Sequence, residues 1–272
     1  MDDFQKKLVD MLRWLVEFLE KNNLRYYVVE GTMLGAVRHE GLIPWDDDID
    51  IGMPRADYEK LIELLSNPID HYVVESYESP AKDYVYAFAK FYDINTSMTE
   101  KLYKNVKRGV YIDIFPLDGL ANTREEALKH YKKIDMRNML LATKVCALRK
   151  GRKFLKNCAI IVGRCIPVNI KKLIKKINKL CKEHDFDSCD YVVNSMSTYR
   201  SREIMEKRIY GEPTRYKFED FYVYGPEKAD EYLTLLYKNW RQFPPEDKRH
   251  AEHDFIDLDL NKPYNGNYMG EK

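Results

Sequence analysis

The chain has 272 residues, 44% hydrophobic and 33% charged, which fits one substantial folded core with a smaller appended region and excludes disorder of the whole chain. Lys plus Arg number 45 against 44 for Asp plus Glu, so near-neutrality removes the overall electrostatic case for a nucleic-acid binder. Cys146, Cys158, Cys165, Cys181 and Cys189 form an odd set without a CxxC pair, which argues against a disulfide framework or a zinc knuckle.

The first 22 residues carry charges throughout their apolar stretch, unlike a signal peptide, and no run approaches the roughly 20 apolar residues that cross a bilayer. A cytoplasmic location is the expectation. Leu8, Leu12, Leu15 and Leu19 recur at spacings of three and four and predict a helix over 4–20, ended at Asn22-Asn23. Tyr26-Tyr-Val-Val29 predicts a short strand running into a loop that opens with Gly31-Thr32. A second strand within 43–53 is expected from the alternation Asp48-Ile49-Asp50-Ile51, with Pro54 at its end and a helix over 56–65.

Further strands are expected at 72–75, 84–92 and 109–115, the last closed by Pro116. From 123 to 183 the pattern is helical, with breaks at Lys150-Gly151 and at Pro167. The final third mixes strands with a helix over 227–240 and a loose tail from Asn261. The fold class is therefore α+β (mixed α/β), a core sheet flanked by helices. The expected division is a core over 1–122, a basic helical region over 123–190, and a C-terminal part over 191–272 that packs on the core.

Alternate side chains of a strand share a face, so Asp48 and Asp50 point the same way about 6.5 to 7 Å apart, while Ile49 and Ile51 point inward. Two carboxylates about 5 Å apart repel by roughly 3 kcal/mol at an effective dielectric near 20, and Asp46 and Asp47 add to that. A hard divalent cation, Mg²⁺ or Mn²⁺, offsets the repulsion and leaves coordination positions for substrate phosphates. An isolated Asp-Asp-Asp run is more often a solvated turn. The alternating isoleucines and a second acid-bearing strand, Gly109-Val-Tyr-Ile-Asp-Ile-Phe115, turn the balance toward a metal site.

In that reading Asp48 and Asp50 are metal ligands and Asp113 is a third ligand or the base that takes an acceptor proton. A lone acid in an apolar strand is otherwise usually paired with Lys or Arg. Gly31 and Thr32 are candidates to meet a phosphate oxygen through free backbone N–H groups and a hydroxyl. Arg38 and His39, placed in the same loop, and Lys90 on the 84–92 strand are candidate donors to the same phosphates.

Gly31-Thr-Met-Leu-Gly-Ala-Val-Arg-His39 followed by Ile43-Pro-Trp-Asp-Asp-Asp-Ile-Asp-Ile51 resembles the signature of the LicD and fukutin-related proteins, a branch of the nucleotidyltransferase superfamily. Ala89-Lys-Phe-Tyr-Asp-Ile-Asn-Thr96 is similar to that family's next block, and Tyr111-Ile-Asp-Ile-Phe-Pro-Leu-Asp118 to the strand bearing its third carboxylate. The likeness continues more loosely through Phe218-Glu219 and from Tyr237 to His250, with Tyr237-Lys238-Asn239 where the family is expected to have Tyr-Gly-Asp.

The resemblance implies a nucleotidyltransferase-type core and transfer of phosphocholine, or a comparable phospho-alcohol, from a CDP-linked donor. The implied acceptor is a sugar of a cell-surface glycan precursor of lipopolysaccharide or teichoic-acid type. Asp46, Asp47, Glu219 and His250 are then further candidate substrate contacts. Two alternatives use the same residues: a nucleotidyltransferase proper, or an inactive scaffold that binds glycan or membrane.

Between Arg137 and Lys182 cations accumulate without a single Asp or Glu. Within this stretch Leu173, Ile174, Ile177 and Leu180 share one helical face with lysines opposite. Such a helix is either a core helix with a solvated cationic face or a surface resting on an anionic inner leaflet. On a membrane each Lys or Arg adds about 1 kcal/mol and a lipid-linked acceptor is reached in place.

Overall fold

The structure is a computed structural model that describes residues 1–81, 83–148, 154–251 and 255–264. The expected break at Lys150-Gly151 and the end of the expected tail lie outside these residues.

The first helix, α1 (Asp3–Lys21), buries Leu8, Leu12, Leu15 and Leu19, the stripe its spacing predicts. Its start is fixed by reciprocal capping: Asp2 accepts the Gln5 N–H and the Gln5 side chain accepts the Asp2 N–H. Then come β1 (Tyr27–Val28), α2 (Glu30–His39), β2 (Asp50–Pro54), α3 (Arg55–Leu64), β3 (Tyr72–Glu75), β4 (Ala89–Glu100) and β5 (Val106–Ala121). Three helices follow, α4 (Arg124–Val145), α5 (Phe154–Cys165) and α6 (Ile170–Cys181), then β6 (Tyr191–Asn194), β7 (Met205–Glu206) and the short α7 (Lys207–Tyr210). A hairpin of β8 (Thr214–Phe218) and β9 (Phe221–Gly225), helix α8 (Ala229–Tyr237) and β10 (Phe255–Asp259) complete the order.

The main sheet runs β1-β2-β5-β4-β10, with β3 also on β4, β6 also on β5, and β7 on β6. The β2–β5 pair is parallel and the other pairings are antiparallel. This is the expected mixed α/β arrangement, a mixed sheet flanked by helices. Strands from both ends of the chain enter it: β6 and β10 share the sheet with β2, β4 and β5.

Four expectations are corrected. The strand expected at 84–92 is β4, which begins only at Ala89, and β2 begins at Asp50, so Asp48 lies in the loop before it and not on the strand. The segment after β1 is helix α2 and not a loop; its glycines serve close approach. A Cβ on Gly35 would stand 2.5 Å from the Gly41 carbonyl oxygen, and one on Gly31 would stand 3.0 Å from an Asp46 carboxylate oxygen. Pro116 does not close its strand but lies inside β5, paired with Met53. It falls between the last β4 pair, Ala89↔Ile114, and the first β6 pair, Leu117↔Asn194, a change of partner where a missing N–H is tolerated.

A second core lies beside the sheet. α6 contributes Leu173, Ile174, Ile177 and Cys181 to it, against Ala127, Tyr131 and Ile134 of α4 and Val193 of β6. Of the two readings of α6, the structure supports the core helix, with Lys171, Lys172, Lys175, Lys176 and Lys179 left outside. Among the described residues no helix is long and apolar enough to cross a membrane.

The two cores meet at a buried ion pair. Arg55 donates to both Asp118 oxygens at 2.7 Å, and a third contact runs from Arg55 to the Asn178 side-chain oxygen at 3.2 Å. Asp118→Ala leaves that guanidinium buried without its partner, so it lowers stability by about 3–5 kcal/mol. The check is a urea titration, in which the midpoint falls while the slope is unchanged.

Candidate active site

The parallel register of β2 and β5 sets Asp50 directly beside Asp113. Across β5 the antiparallel register sets Lys90 beside Asp113, and across β4 it sets Glu75 beside Lys90. Four charged side chains therefore form one row over four strands. The Lys90 Nζ is 2.8 Å from Asp113 Oδ1 and 3.6 Å from Glu100, and lies 3.3 Å from the centre of the Tyr111 ring.

The acidic loop before β2 is pinned from two sides. The Gln5 side chain of α1 donates to the Pro44 carbonyl at 3.1 Å and to the Asp46 carbonyl at 3.0 Å. Thr32 of α2 accepts the Asp50 N–H at 2.8 Å through its hydroxyl. Ile49 and Ile51, fully buried on either side of Asp50, anchor the segment in the core. Held this way, Asp46, Asp47 and Asp48 each present an oxygen within 4.8 Å of the others.

A cavity of about 600 Å³ opens over this cluster. Asp46, Asp48, Asp50, Asp113 and Glu30 supply its acids, Arg38, Lys248 and His250 its basic groups, and Trp45, Phe88, Phe115, Tyr199, Tyr237 and Trp240 its aromatic lining. Arg38 is held by donating to the Trp240 carbonyl and to His39 Nε2, both at 3.0 Å, with its guanidinium 4.6 Å from the Phe243 ring centre. A larger recess of about 800 Å³ surrounds Arg25 and Asp187. Within it Arg25 pairs with Asp187 and Arg208 with Glu206, and among the described residues the acids close enough together to share a cation, Asp46, Asp47 and Asp48, lie outside this recess.

Among the expected site residues, Gly31, Arg38, Asp46, Asp48, Asp50, Asp113 and His250 meet in the one cavity. The others stand behind it. Thr32 holds the Asp50 backbone. His39 packs edge-on against Trp45 and Phe243 at 5.8 and 5.5 Å. Lys90, only 2% exposed, is engaged by Asp113 and Glu100 and does not reach the cavity as a phosphate donor would. Asp47 is buried beside the cluster, and Glu219 accepts the Leu42 N–H at 3.0 Å and so braces the loop that leads to the acids.

Glu30 was not among the expected residues. It opens α2 at φ 48°, a left-handed conformation that costs a non-glycine residue about 1 kcal/mol. Its N–H donates to the Tyr232 hydroxyl and its carboxyl accepts from the Asn194 side chain, both at 3.0 Å. An acid in the otherwise apolar run from Tyr26 to Ala36 was the available signal. Behind it sits Glu203, fully buried, which accepts from the Ser197 hydroxyl at 2.9 Å.

Burial pushes the Glu30 carboxyl up to about 8, with repulsion from Asp48 and Asp113 adding to it. Burial, then repulsion from Asp48, raises Asp46 to about 8. Asp50 stands well above the usual carboxylate range for the same reasons, with Asp48 the foremost repelling neighbour. Asp113 rises only to about 6, because the Lys90 ammonium opposes the effect of burial. The donor set fits a hard divalent cation: its ligand atoms are carboxylate oxygens, and among the described residues no cysteine or second histidine joins them in the cavity.

The sign of the pH dependence follows from these shifts. Between the ordinary carboxylate range near 4 and the raised values near 8, the folded state binds more protons than the unfolded one, so stability falls as pH rises. In cation-free buffer the melting temperature therefore declines from pH 5 to pH 8.5, and Asp50→Asn makes the decline shallower; calorimetry across that range checks both.

Residues 23–142 match the family described as LicD/FKTN/FKRP, nucleotidyltransferase domain, a span that contains the whole carboxylate cluster and both strands that carry it. The chain is 26% identical over 251 residues to the lipopolysaccharide cholinephosphotransferase LicD of Haemophilus influenzae, covering 90% of this chain and 92% of that protein. It is 42% identical over 48 residues to the human ribitol 5-phosphate transferase FKRP, 18% of this chain and 10% of that one. A match of 28% identity over 132 residues joins 44% of this chain to 10% of mannosyltransferase regulator 4 of Saccharomyces cerevisiae. Residues 23–142 of this chain are thus a nucleotidyltransferase domain of the LicD/FKTN/FKRP family.

Proposed function

We propose that the protein is a phosphotransferase that moves a phospho-alcohol group, phosphocholine or a close equivalent, from a CDP-linked donor to a sugar hydroxyl of a cell-surface glycan precursor. The observation that carries this reading is one cavity lined by five carboxyl groups, by Arg38 and Lys248, and by aromatic side chains. The names of the relatives from Haemophilus influenzae and human, a cholinephosphotransferase and a ribitol 5-phosphate transferase, support the reaction class.

Asp48 and Asp50 would hold Mg²⁺ or Mn²⁺, with Asp113 and Asp46 beside them. When bound, such an ion neutralises charge on the donor phosphates. The chain's own groups account for the remaining tasks. Arg38, fixed by the Trp240 carbonyl and His39, presents donors to a phosphate oxygen. The acceptor oxygen attacks phosphorus, its proton passes to a carboxylate, and the bond from phosphorus to the cytidine monophosphate oxygen breaks. Asp113, raised to about 6, is the cavity acid best matched to receive that proton near neutrality. Trp45, Tyr199 and Trp240 line the same cavity, and aromatic surface of this kind suits a quaternary ammonium.

The test follows label from a CDP-linked donor. Release of cytidine monophosphate with the alcohol phosphate on the glycan supports the reading, whereas nucleotide retained on the acceptor supports a nucleotidyltransferase proper and overturns it. Asp48→Ala and Asp50→Ala each reduce turnover by more than ~10²-fold, the scale expected when a group that stabilises developing charge is lost. Circular dichroism establishes that both variants stay folded.

A further inference from the structure

Exposed large apolar side chains concentrate on α5. Phe154 and Leu155 are 78% and 79% exposed, Val162 is 66% and Ile161 is 50%. The pattern is helical: Leu155, Ala159, Val162 and Ile166 follow one another at four, three and four residues, and Phe154, Cys158, Ile161 and Cys165 form the adjoining stripe.

The opposite side of α5 is committed to the protein. Ile160 and Gly163 are buried, and a Cβ on Gly163 would stand 2.5 Å from the Thr143 side chain of α4. Lys144 closes the helix end by donating to the carbonyls of Gly163, Arg164 and Ile166 at 2.6, 3.1 and 2.5 Å. Arg164 donates back to the Thr143 and Cys146 carbonyls and lies 3.7 Å from the Tyr103 ring centre. The apolar face is therefore held outward by a seated helix.

Charge identifies what would cover that face. The stretch from Arg137 to Lys182 contains no Asp or Glu, Lys156 is exposed on α5, and exposed lysines continue on α6. A second copy of the chain, meeting this face through a twofold axis, would oppose cation to cation. A leaflet with acidic headgroups presents hydrocarbon for the rings and anions for the lysines. α6 cannot be the inserted element, because its apolar face is filled by the second core.

We propose that α5 is an interfacial docking helix that lays Phe154, Leu155, Ile161 and Val162 into an anionic bilayer surface while neighbouring lysines engage lipid phosphates. This holds whether or not the catalytic reading does. The test is sedimentation of the full chain with vesicles of phosphatidylcholine alone and of phosphatidylcholine mixed with phosphatidylglycerol. The chain pellets with the mixed vesicles, added salt weakens the binding, and Phe154→Ser with Leu155→Ser and Val162→Ser weakens it by more than ~10-fold. No binding to mixed vesicles, equal binding to both kinds, or a triple variant that binds like the parent overturns the proposal. Should the triple variant fail to fold, an environment-sensitive fluorophore on Cys165, in a chain carrying Cys146→Ser and Cys158→Ser, shifts to the blue with mixed vesicles; an unchanged spectrum overturns it equally.

Discussion

The parallel pairing of β2 with β5 sets Asp50 beside Asp113, and the mutual repulsion of carboxyl groups crowded there is the constraint that the site is built around. Asp46, Asp48 and Glu30 enter the same cavity, so each acid raises the cost of ionising its neighbours. Burial supplies the larger part of that cost, since a carboxylate taken out of water loses its hydration. The resulting site is poised to bind positive charge, and it accepts protons where no other positive charge is supplied.

Such an arrangement survives only if the surrounding structure over-determines it. Gln5 grips the acidic loop from α1, Thr32 grips the backbone of Asp50 from α2, and buried isoleucines clamp the strand on both sides. Lys90 gives Asp113 a buried countercharge, which keeps that acid nearer the usual range than Asp46 and Glu30. Thr32 and Lys90, expected as phosphate contacts, hold Asp50 and Asp113 in place, while Arg38 at the end of α2 lines the cavity.

The helical region divides its work by exposure. α6 faces the second core with its aliphatic side chains and water with its lysines, so its amphipathic pattern is a packing pattern. α5 is nearly apolar all round and is packed on one side only. Both lie within a stretch free of acids, so the exposed lysines of α6 and the exposed apolar side chains of α5 belong to one segment.

The sequence by itself determined the local features: the stripe of α1, the crowding of acids from Asp46 to Asp50 between buried isoleucines, the acid within the 109–115 strand, and the resemblance of the 31–51 segment to a family. These depend on neighbours within a few residues, where helical and strand periods act directly. Only the tertiary structure decided which distant acids meet. Asp50 and Asp113 are joined by strand register, Lys90 is drawn to Asp113 by the next register, and Glu30 enters because α2 begins where a loop was expected. The same holds for the basic region, where both α5 and α6 have apolar residues at helical spacing. Burial of one face and exposure of the other follows from what α4 and the sheet leave available, a matter of long-range packing that no local period encodes.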